Sequence, residues 1–215
     1  MNDLIIFGAS GFGKEVAWLV ERINNKKPTW NLIGFIDDNE AIQGKTVNSY
    51  PVLGGTNCLI DYPNAYIVCA VGAAKIRKTI IEKIKTLLPS AKFAVLIDPD
   101  VECSNLLSIG EGSIICAHTI LTVNIEIGSH VVLNLACTVG HDAIVHDYVT
   151  VYPSVNISGN TEIMECVELG TGTQIIQGKK IGANTIVGAG SVVVKDIPEN
   201  CTAVGCPAKA IKFFG

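Results

Sequence analysis

The sequence predicts two fold classes in one chain: a small Rossmann-like α/β domain over residues 1–92, then an all-β parallel β-helix of hexapeptide repeats over residues 93–215. Two observations carry this. The first half alternates strand-like apolar runs with amphipathic helix patterns, which argues for a parallel sheet covered by helices. From Ile109 onward the apolar residues recur with a step of six, a period that fits short strands stacked as rungs.

In order along the chain, "DLIIFG" reads as a buried strand running into the glycine-rich turn "GASGFGK". The helix that follows sets Val16, Leu19, Val20 and Ile23 on one face. "LIGFIDDN" is a strand and turn, "YPVLGG" a strand edge and "AYIVCAVGA" a further strand. "KIRKTIIEKIKTLL" is a helix expected to bury Ile76, Ile80, Ile84 and Leu87. Fifteen successive hexad positions, from Ile109 to Val193, carry only Ile, Leu or Val. The residue four places after each is mostly small or β-branched, as at Ser113, Thr119, Thr161 and Thr173. Ile97, Val101, Cys103 and Leu107 extend this register backwards, so nearly six turns of three hexads are expected. Lys179 breaks the inward class and is expected at a distorted corner with its amine outside.

Composition narrows the function classes. Apolar residues make up 48% of the chain, ample for a core, and the net charge is −4 with no long basic run. Nucleic acid and anionic membrane surfaces are therefore poor partners. No apolar run approaches a membrane span and the N-terminus lacks the pattern of a signal peptide, so a cytoplasmic protein is expected. Eight cysteines occur without any C-x-x-C pair; they are expected to be small buried residues, and no metal site is expected.

Three strand ends carry candidate binding residues. Gly8, Ser10, Gly11, Gly13 and Lys14 sit where a strand feeds a helix, so backbone amides there can cradle a phosphate. Their spacing is G-x-x-G-x-G and departs from the dinucleotide pattern. Asp37 and Asp38 end the next strand, where an acid meets a ribose or base edge or caps the turn. Gly72 and Lys75, with Arg77, lie at the third strand end; the charges are either ligand contacts or a solvated helix face. In the hexads, His141 holds the third position, outside the two inward classes, and Asp142 follows it. Imidazole suits a general base at neutral pH, and a carboxylate on its other nitrogen fixes the tautomer.

With "GASGFGKEV", "GFIDD", "PVLGG", "AVG..KIR", the hexads and "GCPAKAIK" in this order, the whole chain resembles the sialic acid O-acetyltransferase and nucleotide-sugar N-acetyltransferase family. The resemblance implies a left-handed β-helix, a homotrimer, acetyl-CoA held between neighbouring coils, and a nucleotide sugar on the N-terminal domain. It implies an N-acetyltransferase of a nucleotide-linked amino sugar, such as a 4-amino-4,6-dideoxy sugar, with His141 as base and Asp142 as its orienter. O-acetylation of sialic acid, another sugar or serine is the alternative. By the same resemblance Thr150, Gly159, Thr171 and Ala189 line the coenzyme groove, and Lys209 closes over its adenine end. Gly140 stands where the family commonly has Asn, Thr150 where many members have a second histidine, and Lys14 where a histidine is frequent. His146 has no family counterpart and is expected at a solvent-facing corner. A metalloenzyme of the γ-carbonic-anhydrase type needs three converging histidines, whereas His118, His130, His141 and His146 fall at hexad positions four, four, three and two. A non-catalytic scaffold is a further alternative, since β-helices also serve as structural stacks.

Overall fold

The computed structural model describes residues 1–214; Gly215, where the second expected domain ends, lies outside the described residues. The first part contains β1 (Asn2–Phe7), α1 (Gly11–Lys26), β2 (Trp30–Ile36), β3 (Thr46–Val47), β4 (Tyr50–Gly54), β5 (Tyr66–Cys69), α2 (Ala74–Leu87) and β6 (Lys92–Phe93). They form a six-stranded sheet in the order β3-β4-β2-β1-β5-β6, parallel except for β3 against β4. Successive side chains of a strand point to opposite faces. Leu4 and Ile6 accordingly join the core under α1, while Ile5 and Phe7 join the one containing Ile81 and Ile84 of α2. From β1 the chain goes to β2 and β4 on one side and returns to β5 on the other. A crevice therefore opens beyond the carboxyl ends of β1 and β5, the place where open α/β sheets hold ligands.

The second helix corrects one expectation. Its buried residues are Ala74, Arg77, Ile81 and Ile84, whereas Ile76 is 57% exposed. The buried stripe follows the three- and four-residue steps of a helix through an arginine. The apolar residues alone suggested a stripe rotated away from it.

From Leu96–Ile97 to Val192–Val193, seventeen strands of two or three residues build three parallel sheets. Each strand pairs with its counterpart three hexads further along, as in Ile115 with Leu133, then Val151, Leu169 and Val187. Three hexads thus make one turn of a triangular prism. We name the faces in chain order: the first contains Ile114–Ile115, the second Ile120–Leu121 and the third Ile125–Ile127. The first residue of each hexad fills the prism with a single column of Ile, Leu and Val, mostly below 3% exposure. Each such side chain contributes about 1.5–3 kcal/mol by leaving water.

All fourteen fourth positions of the hexads, from Gly112 to Gly190, have left-handed backbone with φ between 54° and 72°. This local rule explains the Gly, Asn, Asp and His residues that crowd these corners. The corner at Lys179 keeps the same geometry: Gly178 has φ 70° and Glu162 N donates to Lys179 O at 2.9 Å. It is not distorted. The first turn departs from the expected inward pattern, because Ile97 and Cys103 are exposed and Leu107 and Ile109 half-buried at the open end of the prism. Of the cysteines, Cys69, Cys116, Cys137, Cys166 and Cys201 are buried; Cys58 is half-buried, and Cys103 and Cys206 are exposed. After the coil, β24 (Cys201–Gly205) and β25 (Ala208–Phe213) form an antiparallel pair that extends the first face. No helix among the described residues is long and apolar enough to cross a membrane.

The α/β part docks on the first face. Leu96, Ile114 and Val132 point outward from that face and are buried in the same core as α1. Beside them Arg77, 0% exposed, donates from Nε to His130 O, from Nη1 to Val71 O and Gly72 O, and from Nη2 to Tyr148 O and Val149 O. A guanidinium has five N–H donors, and every one ends on a backbone carbonyl, two in the α/β part and three in the coil. Burial pushes the Arg77 pKa down from its ordinary value.

Candidate active site

The strongest concentration of reactive groups lies on the vertex between the second and third faces. His141 follows the strand Thr138–Val139 and is exposed. Its Nδ1 lies 2.7 Å from Asp142 Oδ2, and the left-handed φ of 58° at Asp142 turns that carboxylate back toward the ring. Asn124, one turn below on the same vertex, donates from Nδ2 to Asp142 Oδ1 at 3.1 Å. The bonds from His141 and then Asn124 hold the Asp142 carboxyl below the usual carboxylate range. With Nδ1–H committed to the carboxylate, Nε2 carries the free lone pair. That nitrogen lies over Gly159, one turn above, where an added Cβ would meet Nε2 at 2.5 Å. Asn124 went unnoticed in the sequence because its partner lies a full turn of the coil away; the hexad step itself was the signal.

The other expected coil residues lie elsewhere. Thr171 and Ala189 are exposed on successive turns of the vertex between the first and second faces, not on the His141 vertex. Around them Gly172 and Gly190 open onto space with no atom within 4 Å of an added Cβ. Thr150 lies on the first face, buried, its hydroxyl donating to Gly72 O at 2.6 Å. Lys209 is exposed on β25. His146 is half-buried on the third face and pairs with Glu162 at 3.1 Å, which in turn holds Lys180 at 2.8 Å, so it is not a bare corner. His130 is 1% exposed, stacked on Tyr148 and edge-on to Phe93, with neither ring nitrogen hydrogen-bonded. Burial, then Lys85 and Arg77, push its pKa down to about 4.

At the strand ends the structure sorts the candidates. Gly8 is left-handed with φ 100°, and Gly13 packs so closely on Gly8 O that a side chain would collide. Ser10 precedes α1 without a side-chain capping bond, and Lys14 is exposed in the first turn. Asp37 accepts from Ala9 N and Asn39 N, both at 2.9 Å, which ties the glycine turn to the end of β2. Asp38 accepts from Thr56 N and Oγ1 and from Lys83 Nζ, and borders a cavity of about 480 Å³. Lys75 places its amine 5.2 Å from the Phe214 ring. Gly11 and Gly72 face each other across the switch-point crevice, where a second cavity of about 250 Å³ lies between the α/β part and the coil.

The PglD N-terminal domain family matches residues 3–84. The acetyltransferase domain of PglB from Neisseria gonorrhoeae is 34% identical over 98% of this chain and 100% of that one, with a TM-score of 0.88, and has also been solved with acetyl coenzyme A. WeeI from Acinetobacter baumannii is 30% identical over 98% and 100% of the two chains, with a TM-score of 0.85. A histidine-to-asparagine mutant of perosamine N-acetyltransferase from Caulobacter crescentus, in complex with CoA and GDP-perosamine, is 26% identical over 98% and 97%, with a TM-score of 0.86. No curated protein matches the chain. A left-handed hexad coil carrying a docked α/β domain makes this protein an acyltransferase. It belongs to the family of sialic acid O-acetyltransferases and nucleotide-sugar N-acetyltransferases.

Proposed function

We propose that the protein transfers an acetyl group from acetyl-CoA to the amine of a nucleotide-linked amino sugar, a 4-amino-4,6-dideoxy sugar in particular, with His141 as general base. The observation that carries this is the His141–Asp142 pair on an exposed corner, with Nε2 against the bare backbone of Gly159. The similar proteins solved with acetyl coenzyme A, or with CoA and GDP-perosamine, support the donor and the acceptor class. Bound acetyl-CoA supplies an activated thioester carbonyl. His141 Nε2 accepts the proton of the attacking amine as the C–N bond forms, and Asp142 stabilises the imidazolium. The bare glycine corners around Thr171 and Ala189 fit a pantetheine arm lying close to the backbone.

His141 and the Thr171–Ala189 corners occupy different vertices at the two edges of the second face. One groove contains both only when neighbouring copies stand side by side, which supports a homotrimer with the imidazole of one protomer facing the bare vertex of the next. Thr150 keeps to Gly72, so it supports a place in the docking contact rather than in the coenzyme groove. His141→Ala is expected to lower kcat by about 10²–10⁴-fold while CoA still binds by calorimetry. An unchanged kcat would remove His141 from the chemistry. Histidine mutants of the C. crescentus enzyme solved with CoA and GDP-perosamine are a precedent for binding without that side chain.

A further inference from the structure

The cavity at the switch point is asymmetric in charge. Phe12 and Gly72 line it from the α/β part and Asn134, Thr150 and Tyr152 from the coil. The one charged residue that lines it is Glu15; no Lys, Arg or His does so among the described residues. The hydroxyls beside it are spent, Thr150 on Gly72 O and Tyr152 on Glu168 Oε2 at 3.1 Å. Glu15 itself lies in the second turn of α1, is exposed, and forms no ion pair with a described residue. Its other side adjoins a small, mainly apolar pocket that includes Trp18, Cys116 and Leu135. Apolar walls reduce the local screening of a charge.

We infer that Glu15 is the residue that selects the acceptor by charge, pairing with the ammonium of an amino sugar and turning away a sugar acid. This rests on reading the crevice as the sugar end of a nucleotide-sugar site. An alkyl amine arrives as R–NH3+, and the carboxylate is its only charged partner in the cavity. One proton leaves to water before attack. The second passes to the His141 of the neighbouring copy that completes the groove as the C–N bond forms and the C–S bond breaks, and that imidazolium returns the proton to the departing thiolate, giving the thiol. The product is a neutral amide, so the ion pair vanishes with turnover and product is held less tightly than substrate. A sugar carboxylate would meet like charge instead, which sets N-acetylation of an amine above O-acetylation of a sugar acid at this site.

Calorimetry on the full chain tests this with UDP-, dTDP- and GDP-linked 4-amino sugars and their 4-hydroxy counterparts. Wild type is expected to bind the amino form of its preferred series about two- to fivefold more tightly than the hydroxy form, the order of an exposed ion pair. Glu15→Gln is expected to erase that preference while leaving the hydroxy form's affinity unchanged, which also shows the variant folded. A preference that persists in Glu15→Gln, or one absent from wild type, overturns the inference while leaving the nucleotide-sugar reading intact. Failure of every nucleotide sugar to bind wild type overturns that reading, and this inference with it.

Discussion

Two vertices of the same coil share backbone geometry and differ in the side chains they present. The vertex at His141 carries side chains that bond one another from turn to turn, Asn124 to Asp142 to His141, with Gly159 above. The vertex at Thr171 and Ala189 carries Gly172 and Gly190, whose added Cβ atoms would meet nothing within 4 Å. A repeating scaffold supplies equivalent corners; side-chain choice alone makes one of them suited to proton transfer and another to lying against a flexible ligand.

The comparison breaks first if the two vertices never meet. His141→Ala and Ala189→Trp are each expected to be inactive, and co-expression should restore activity to roughly a quarter of the sites by random mixing in a trimer. A dead mixture would mean that the two vertices do not meet across an interface between copies. Gly159→Ala sharpens the loaded vertex: its methyl group displaces the imidazole, and kcat should fall about 10²-fold with CoA affinity retained. Asn124→Leu is a smaller perturbation, expected to lower kcat only about two- to fivefold, in the range of one exposed hydrogen bond. Without the Asn124 amide the Asp142 carboxyl should titrate at higher pH, visible by carbon NMR; an unmoved titration would make that bond irrelevant.

A separate effect, on stability rather than turnover, concerns the docking contact. His130 has a folded pKa of about 4, below its unfolded value, so the unfolded chain takes up the proton first as pH falls. Stability is therefore lost between about pH 6.5 and 4 and is fully present above that window, amounting to about 3 kcal/mol at most. His130→Asn keeps the left-handed corner and should flatten this slope in urea titrations at pH 7 and pH 4.5. A slope as steep as that of wild type would assign the acid sensitivity to other groups.

The coil was more legible in the sequence than the docking contact, for a physical reason. In a prism each hexad meets the same surroundings as the next, so burial at Val139 foretells burial at Ile157. The strands of the α/β part were visible as apolar runs, and its first helix as a stripe. The second helix was misread because what it buries at Arg77 is a fully bonded cation, and only the docked coil supplies three of the five acceptors. The Phe214 ring beside the Lys75 amine comes from the far end of the chain and could not be read as its neighbour. His141 and Asp142 were legible as neighbours; Asn124 and Gly159, one turn below and one turn above them, required the pairing register.

A coil that returns to the same vertex with every third hexad constrains how the gene can lengthen. Inserting one residue moves each later side chain to the wrong corner and every left-handed φ onto residues that resist it. A duplication of one whole turn, by contrast, adds a storey to the tower and leaves each wall in line. Height is therefore the dimension in which this architecture grows most easily, and the distance between its docked domain and its far end can change while the paired imidazole keeps its outlook.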